Sequence, residues 1–384
     1  VYLKAAEVRG FRGIREIKLD KDDIGRINII VGRNNSCKSA LLEALALAAS
    51  FPTFRDALLT SLPTWVIVRR GKPYSARLLI NANSDEAAID VSTTRGDISL
   101  KLFVDVSKVP EKHRGIFTDL EKRLDEERKR MQVTTMFYFV VKLVEATTRQ
   151  VLPFEEAVRG EYAEEKIYAV SEGGGEVSAF VTYTTGDTMS TVSLREGFVN
   201  SVAFLDSRLF FDTDLLSRII DILIKRNIEL FDKLINMYRE AVGKSVRVVD
   251  IRVTRERVPY VRFEEGPLVP YNVLGDGLKL SLFYTFASAL VEKGIVFMEE
   301  PEVHMHAGLI DVLVHYVVTS PSQQYFISTH SLDLIHGLLK LASALGKISE
   351  VKVIRLSDCE VVDVLHGDEA HFKLEEIGQD LREI

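Results

Sequence analysis

The chain has 384 residues, 46% hydrophobic and 27% charged, enough apolar material for one large α/β domain with insertions or two to three smaller units. A net charge of -7 and a pI near 5.8 exclude a globally basic binder of nucleic acid or anionic membrane, so any such contact must come from a local patch. Cys37 and Cys359 are the only cysteines; two thiols in so long a chain do not make a disulfide framework, and a reducing, cytoplasmic setting is expected. The longest apolar stretches, such as LSLFYTFASALV, are too short to cross a bilayer, and the opening VYLKAAEVRG lacks the basic-then-apolar pattern of a signal peptide, so no membrane partner is expected.

The first thirty residues read as strands: YLKAAEVRGF, IREIKLD and the apolar run INIIVG. That run leads into GRNNSCKS, residues 32–39. The segment fits the phosphate-loop pattern of Gly, four residues, Gly-Lys-Ser, except that Cys37 replaces the second glycine. SALLEALALAASF, rich in Ala and Leu, then predicts a helix starting just after Ser39. Strand, glycine-started turn and helix N-terminus, in that order, aim backbone amides and the helix dipole at a phosphate. If position 37 needs a positive φ, a cysteine there costs about 1–2 kcal/mol; if φ is negative, the side chain need only point away. The sequence leaves both open. A thiol beside Lys38 at a helix N-terminus is also an expected target for oxidants.

Residues 64–106 alternate as strands (WVIVRR, SARLLINAN, AAIDVS, ISLKLFVDV), predicting an antiparallel sheet beside the phosphate-loop unit. From 111 to 200 the character changes: a short charged helix, TDLEKRLDEERKRMQ, precedes strand-like runs with a loop at SEGGGE and a turn at TTGD. This segment reads as an insertion between an N-terminal half, 1–110, and a C-terminal half, 201–384. Its charge run reads as a solvated helix face, and no heptad pattern is sustained long enough for a coiled-coil arm. Residues 212–243 carry the longest helical signal, with Asp212 or Asp214 as the capping residue. SVRVVDIRVTRERVPYVRF follows as a strand pair bearing Arg247, Arg252, Arg255, Arg257 and Arg262, either an exposed sheet face or a local basic patch for DNA.

The last third supplies further candidate groups. YNVLGDGLKLSLFYTFASALV places Gly275-Asp276-Gly277 before a helix, whose free N-terminal amides can bind an anion. EKGIVFMEEPEVHMH gives a short apolar strand ending in Glu299-Glu300: one carboxylate for a magnesium ion and a neighbour to position or deprotonate a water. QYFISTHS ends another strand at His330, placed to hydrogen-bond a phosphate or the attacking water. A competing reading takes His304 and His306 with Glu299 or Glu302 as a zinc site.

Taken in order, these motifs resemble the ATP-binding-cassette ATPases of the SMC, RecF and OLD type, the stand-alone "AAA family" heads, over roughly 1–60 and 200–384. The resemblance implies an α/β P-loop NTPase of ABC-ATPase type: a mixed core sheet, an antiparallel β-subdomain and a helical lobe, with a mid-chain insertion. GFRGI resembles the family's Phe-Arg motif, with Arg12 approaching the nucleotide. GRNNSCKS resembles Walker A, which implies that Gly32, Arg33, Asn34, Asn35, Ser36, Cys37, Lys38, Ser39 and Ala40 wrap the phosphates of ATP. IVFMEEPEVHMH resembles Walker B and the D-loop, with Ser39 and Glu299 toward Mg2+ and Glu300 as catalytic base; His330 matches the switch histidine. LGDGLK resembles the signature motif: Gly275 stands where serine is usual, beside Asp276, Gly277 and Lys279. The glutamine that senses γ-phosphate after the first lobe has no counterpart, and too few residues follow His330 for the Toprim nuclease domain. The resemblance implies an ATPase whose hydrolysis drives an ATP-gated homodimer in DNA maintenance or defence. The alternative is an ATP-binding clamp that hydrolyses little because of Cys37.

Overall fold

The computed structural model describes residues 1–70, 74–147, 164–185, 189–209, 212–241, 247–254, 258–264, 266–291 and 293–382, with side chains described outside 130–147 and 241. The chain opens with β1 (Leu3–Arg9), β2 (Glu16–Leu19), β3 (Ile27–Val31), α1 (Lys38–Ala49) and α2 (Leu62–Val68). It continues through β4 (Glu86–Thr93), β5 (Gly96–Phe103), α3 (Glu111–Thr147), β6 (Glu165–Gly173), β7 (Glu176–Thr184), β8 (Met189–Ser193) and β9 (Val202–Asp206). Then come α4 (Thr213–Arg226), α5 (Ile228–Ala241), β10 (Val248–Val253), β11 (Pro259–Phe263), β12 (Leu268–Pro270) and α6 (Asp276–Ala289). The last elements are β13 (Gly294–Glu299), α7 (Ala307–Thr319), β14 (Gln323–Ser328), α8 (Leu332–Ala344), β15 (Val351–Ser357), β16 (Glu360–His366) and α9 (Gly367–Glu375).

Among the described residues these strands form three sheets. The core sheet has the order β16-β15-β3-β14-β13-β9; its five strands from β15 to β9 are parallel and β16 returns antiparallel at the edge. A parallel sheet covered on both faces demands continuous apolar strands. INIIV of β3 and GIVFM of β13 are buried throughout. The second sheet, β2-β1-β4-β5-β6-β7-β8, is antiparallel, so segment 111–200 adds three strands to the sheet begun by the N-terminal segment. A third, β10-β11-β12, lies against the helical lobe of α4, α5 and α6. The architecture is the α/β fold expected: mixed core sheet, antiparallel β-subdomain and helical lobe.

Helix α1 lies between the two large sheets, touching β1, β4 and β5 on one side and β9, β13 and β14 on the other. All its residues except Ser39 are buried, and a helix buried all round needs no polar face, which accounts for ALLEALALAA. Three sequence expectations are corrected. WVIVRR is not a strand: it falls in α2, where Pro63 fits the first helical turn, whose amide has no helical partner to lose. The charged helix of the insertion is not short, because α3 runs for 37 residues. The 212–243 helix breaks at Asn227, whose side chain accepts from the Leu230 amide and starts α5, while Asp212 caps α4 as expected.

Candidate nucleotide site

Parallel register brings the sequence motifs to one edge. Glu299 pairs with Ser328 on one side and Asp206 on the other, and Ser328 pairs with Ile30. The loop after β3, the acids at the end of β13 and His330 after β14 therefore leave the same end of adjacent strands. Strands in a sheet stand about 4.8 Å apart, so Glu299 is two strands, about 10 Å, from the start of the phosphate loop. A cleft of about 1140 Å3 at this edge is lined by Arg12, Lys38, Ser39, Glu300 and His330 among others.

The loop has an anion-binding shape. Gly32 has φ 151°, and a Cβ there would meet the Leu356 carbonyl at 2.2 Å and Ser36 Oγ at 2.6 Å, so only glycine fits. Asn35 and Cys37 are both left-handed, with φ 66° and 69°. Alternating right- and left-handed residues turn successive amides toward one concavity. The question left open at position 37 is answered: φ is positive. Lys38 is buried and its amine donates to the Gly32 and Arg33 carbonyls at 2.9 and 3.0 Å, folding the charge back over the loop. Burial lowers the pKa of that amine, with Glu300 and Glu302 acting in the opposite sense. Ser36 Oγ is buried without a hydrogen-bond partner, a polar atom that a bound phosphate oxygen would satisfy.

Glu300 approaches His330, with its Oε1 3.5 Å from Nε2. Burial and the charge of Lys38 depress the His330 pKa, so the imidazole is neutral near pH 7. Its position is set by Glu302, which the sequence offers only as a zinc candidate, and by Arg382, which it does not single out. Glu302 accepts from the His330 amide at 2.9 Å and from Thr329 Oγ1 at 2.6 Å, and the Arg382 guanidinium donates to the His330 carbonyl at 2.7 Å. Burial raises the Glu302 pKa.

Glu299 is paired with Arg69, as are Asp206 at 3.0 Å and Glu43 at 3.2 Å. Arg12 lines the cleft, but its guanidinium pairs with the fully buried Glu43 and donates to the Val66 carbonyl. Arg70 also reaches Glu43, at 2.8 Å. Three guanidiniums thus face three carboxylates behind the cleft. No sequence pattern linked Arg69, Glu43 and Asp206, since they lie on α2's end, α1 and β9. Of the two expected magnesium ligands, Ser39 lines the cleft, whereas Glu299 is held by Arg69 and is not among its lining residues; both would offer hard oxygen donors of the kind magnesium takes.

The signature residues Gly275, Asp276, Gly277 and Lys279 do not line the cleft of this chain. Gly275 caps α6, and Lys279 pairs with Asp276 at 3.0 Å. Gly277 is required locally, because a Cβ would lie 2.4 Å from the His304 carbonyl. Among the described residues no three His, Cys, Asp or Glu side chains cluster to hold a metal, so the zinc reading has no ligand set. In the expected basic patch Arg247 pairs with Glu264 and Arg252 with Asp250, leaving Arg262 exposed; Arg255 and Arg257 lie outside the described residues. The expectation of two separate thiols is corrected as well: Cys37 and Cys359 form a disulfide, because β15 lies beside β3 and its turn reaches the phosphate loop. Among the described residues no helix is long and apolar enough to cross a membrane.

Residues 189–335 match the family "AAA domain, putative AbiEii toxin, Type IV TA system", a stretch holding the signature segment, Glu299-Glu300 and His330 but not the phosphate loop. That match is to less than half of the chain, and it falls on the C-terminal segments whose motifs resemble those of SMC- and RecF-like ATPases. A 48-residue segment is 52% identical to an uncharacterized protein of Methanocaldococcus jannaschii, covering 12% of this chain and only 21% of that protein. Among solved structures, an SMC head bound to the C-terminal winged-helix domain of ScpA is 12% identical with a TM-score of 0.47, covering 96% of this chain and 100% of the other. The SMC head of Thermotoga maritima is 11% identical with a TM-score of 0.41, covering 95% and 99%. RecF in a nucleotide-bound structure is 12% identical with a TM-score of 0.41, covering 95% and 98%.

Proposed function

We propose that this chain binds Mg-ATP in the cleft at the end of β3 and hydrolyses it, and that two copies close over the nucleotide. The observation that carries the reading is the shared edge: phosphate loop, paired glutamates and neutral histidine leave neighbouring parallel strands in one row. The loop amides and the helix α1 N-terminus bind the phosphates, and the Lys38 amine swings from the Gly32 and Arg33 carbonyls onto phosphate oxygens. Ser39 and Glu299 would hold magnesium, which supplies charge neutralisation on the phosphates. Glu300 takes the proton of the attacking water, and His330, neutral and fixed from both backbone sides, donates to or orients the γ-phosphate oxygen.

The signature helix N-terminus does not line the cleft of its own chain and would meet an anion on a partner's nucleotide, which is the reason to expect an ATP-dependent homodimer. The clamp reading, with binding but little turnover, is favoured by one observation: Arg69 already occupies Glu299, the acid a metal would need. Phosphate release, nucleotide binding and mass in solution with Mg-ATP test the proposal together. Wild type should release phosphate; Glu300→Gln should bind, stop turning over and shift further toward dimer; Lys38→Ala should lose binding. Release unchanged in Glu300→Gln would refute the assigned base, and little release from either protein would favour the clamp.

A further inference from the structure

The chain's two cysteines lie 322 positions apart and meet at the proposed nucleotide cleft, which both line. Cys37 is the last residue of the phosphate loop before Lys38 and caps α1 in the left-handed conformation, φ 69° and ψ 18°. Cys359 sits in the turn between β15 and β16, where Asp358 and Cys359 are also left-handed. The surroundings make room for the pair. A Cβ on Gly13 would lie 2.8 Å from the Cys37 sulfur and 3.2 Å from that of Cys359, so a glycine stands where any side chain would push the sulfurs apart. The same hairpin backs the other end of the loop, where Gly32 abuts the Leu356 carbonyl. Both cysteines are half-buried at the cleft wall, within reach of a small thiol.

We propose that Cys37–Cys359 is a redox modification site for small thiols and disulfides, and that its oxidation state sets the nucleotide affinity of the loop. This rests on the nucleotide reading of the cleft. In the exchange, a dithiol's first thiolate attacks one protein sulfur and breaks the Cys37–Cys359 bond, so that a mixed disulfide forms and the other protein sulfur leaves as a thiolate. Its second thiolate then displaces that sulfur, leaving two protein thiols and a cyclic disulfide that has lost two electrons and two protons. The reverse step takes a small-molecule disulfide as oxidant, two protein thiols giving up two electrons and two protons to yield two small thiols. Oxidised, the cross-link holds Cys37 in the left-handed turn that keeps the loop amides convergent. Reduced, a cysteine has no tie to that conformation, which disfavours every residue but glycine, and the loop relaxes. The expected loss of affinity on reduction is about ten-fold. By reciprocity, bound nucleotide protects the disulfide from reduction by the same factor.

The test uses the full chain equilibrated with oxidised glutathione or with dithiothreitol. Thiol state is read from intact mass after alkylation, and affinity from titration of a fluorescent ATP analogue with magnesium. The oxidised form should bind about ten-fold more tightly, and Mg-ATP should slow reduction. Cys359→Ser should bind as the reduced form does in both buffers. Equal affinity in the two redox states, tighter binding when reduced, or no disulfide under oxidant would overturn the proposal while leaving the nucleotide site standing. Absence of binding in every form, with the disulfide intact, would overturn the nucleotide reading and the coupling with it.

Discussion

Arg69 is the cation on which the acidic side of the site depends, and replacing it by methionine has a calculable cost. Its side chain is 4% exposed and contacts Glu43, Asp206 and Glu299, whose side chains are 0%, 4% and 11% exposed. The guanidinium also lies 5.4 Å over the Phe204 ring. Burial lowers its pKa, and the carboxylates of Glu43 and Asp206 counter that. In Arg69→Met, Glu43 keeps Arg12 and Arg70, but Asp206 and Glu299 lose their cation and stay buried. Breaking a buried pair from one side costs about 3–5 kcal/mol. With an unfolding entropy of about 2.1 cal/mol/K per residue, roughly 0.8 kcal/mol/K for this chain, the melting temperature should fall by about 4–6 °C. Freed of the guanidinium, Asp206 and Glu299 should also form a better magnesium site, so magnesium alone should raise the variant's melting temperature more than that of wild type. Scanning fluorimetry or calorimetry with and without magnesium reads both. A fall under 1 °C, or an identical magnesium response, would refute the assignment of Arg69 as counter-ion to Glu299.

Gly277→Ala places a Cβ 2.4 Å from the His304 carbonyl, and forcing α6 off that backbone should cost about 1–3 kcal/mol; an unchanged denaturant midpoint would sink the contact. Asp56 is fully buried, and burial raises its pKa to about 7 although the Leu58, Thr60 and Phe204 amides all donate to it. The folded state then holds a proton that the unfolded chain releases above about pH 4, so stability should fall as pH rises from about 4 to 7, by at most about 4 kcal/mol, and level off beyond. Asp56→Asn should flatten that slope at some loss of baseline stability, and parallel pH profiles for the two proteins would contradict it. Glu302→Ala strips the acceptor from the His330 amide and Thr329 hydroxyl, so about 2 kcal/mol of stability should go, together with most phosphate release; a variant with full turnover would mean that His330 needs no such support.

What could be read from the sequence was whatever lies within one strand and its following turn. INIIVGRNNSCKSALLEALALAA carries its own strand, turn and helix signals, and Glu299-Glu300 and His330 each sit at the tip of an apolar run. The parallel edge then follows, because buried strands that alternate with helices pair in parallel. WVIVRR reads as a strand because three β-branched residues after a tryptophan carry a strand signal that packing against α1 and the prolyl first turn override. The break at Asn227 was invisible to periodicity, since α4 and α5 keep apolar faces on both sides of it. Pairings across the chain left no local trace at all. Cys37 meets Cys359, and Glu43 meets Arg69 and Arg12, only because the core order runs β15-β3-β14-β13-β9 with α1 laid across it. A one-position view of Cys37 as a defective glycine was therefore incomplete: its φ matches what a glycine would supply, and the restraint comes from a residue 322 positions away.

The charge arrangement behind the cleft ties these parts together. Glu43 has no solvent access and draws Arg12 from the turn after β1, and Arg69 and Arg70 from the end of α2, onto the helix that begins at Lys38. Arg69 then extends the chain of charge to Asp206 and Glu299 at the strand ends. An ion arriving at Glu299 must take that carboxylate from Arg69, which leaves the guanidinium facing Glu43 and Asp206 alone. Apart from the exposed Arg70 the cluster is largely shielded from solvent, so a further charge at one end should be felt at the other. A metal at the strand ends and the hold of Arg12 beside the loop after β3 would then be parts of one electrostatic unit. Their coupling is measurable as a double-mutant cycle between Arg12→Met and Glu299→Gln, in which additive losses would show that the two ends are independent.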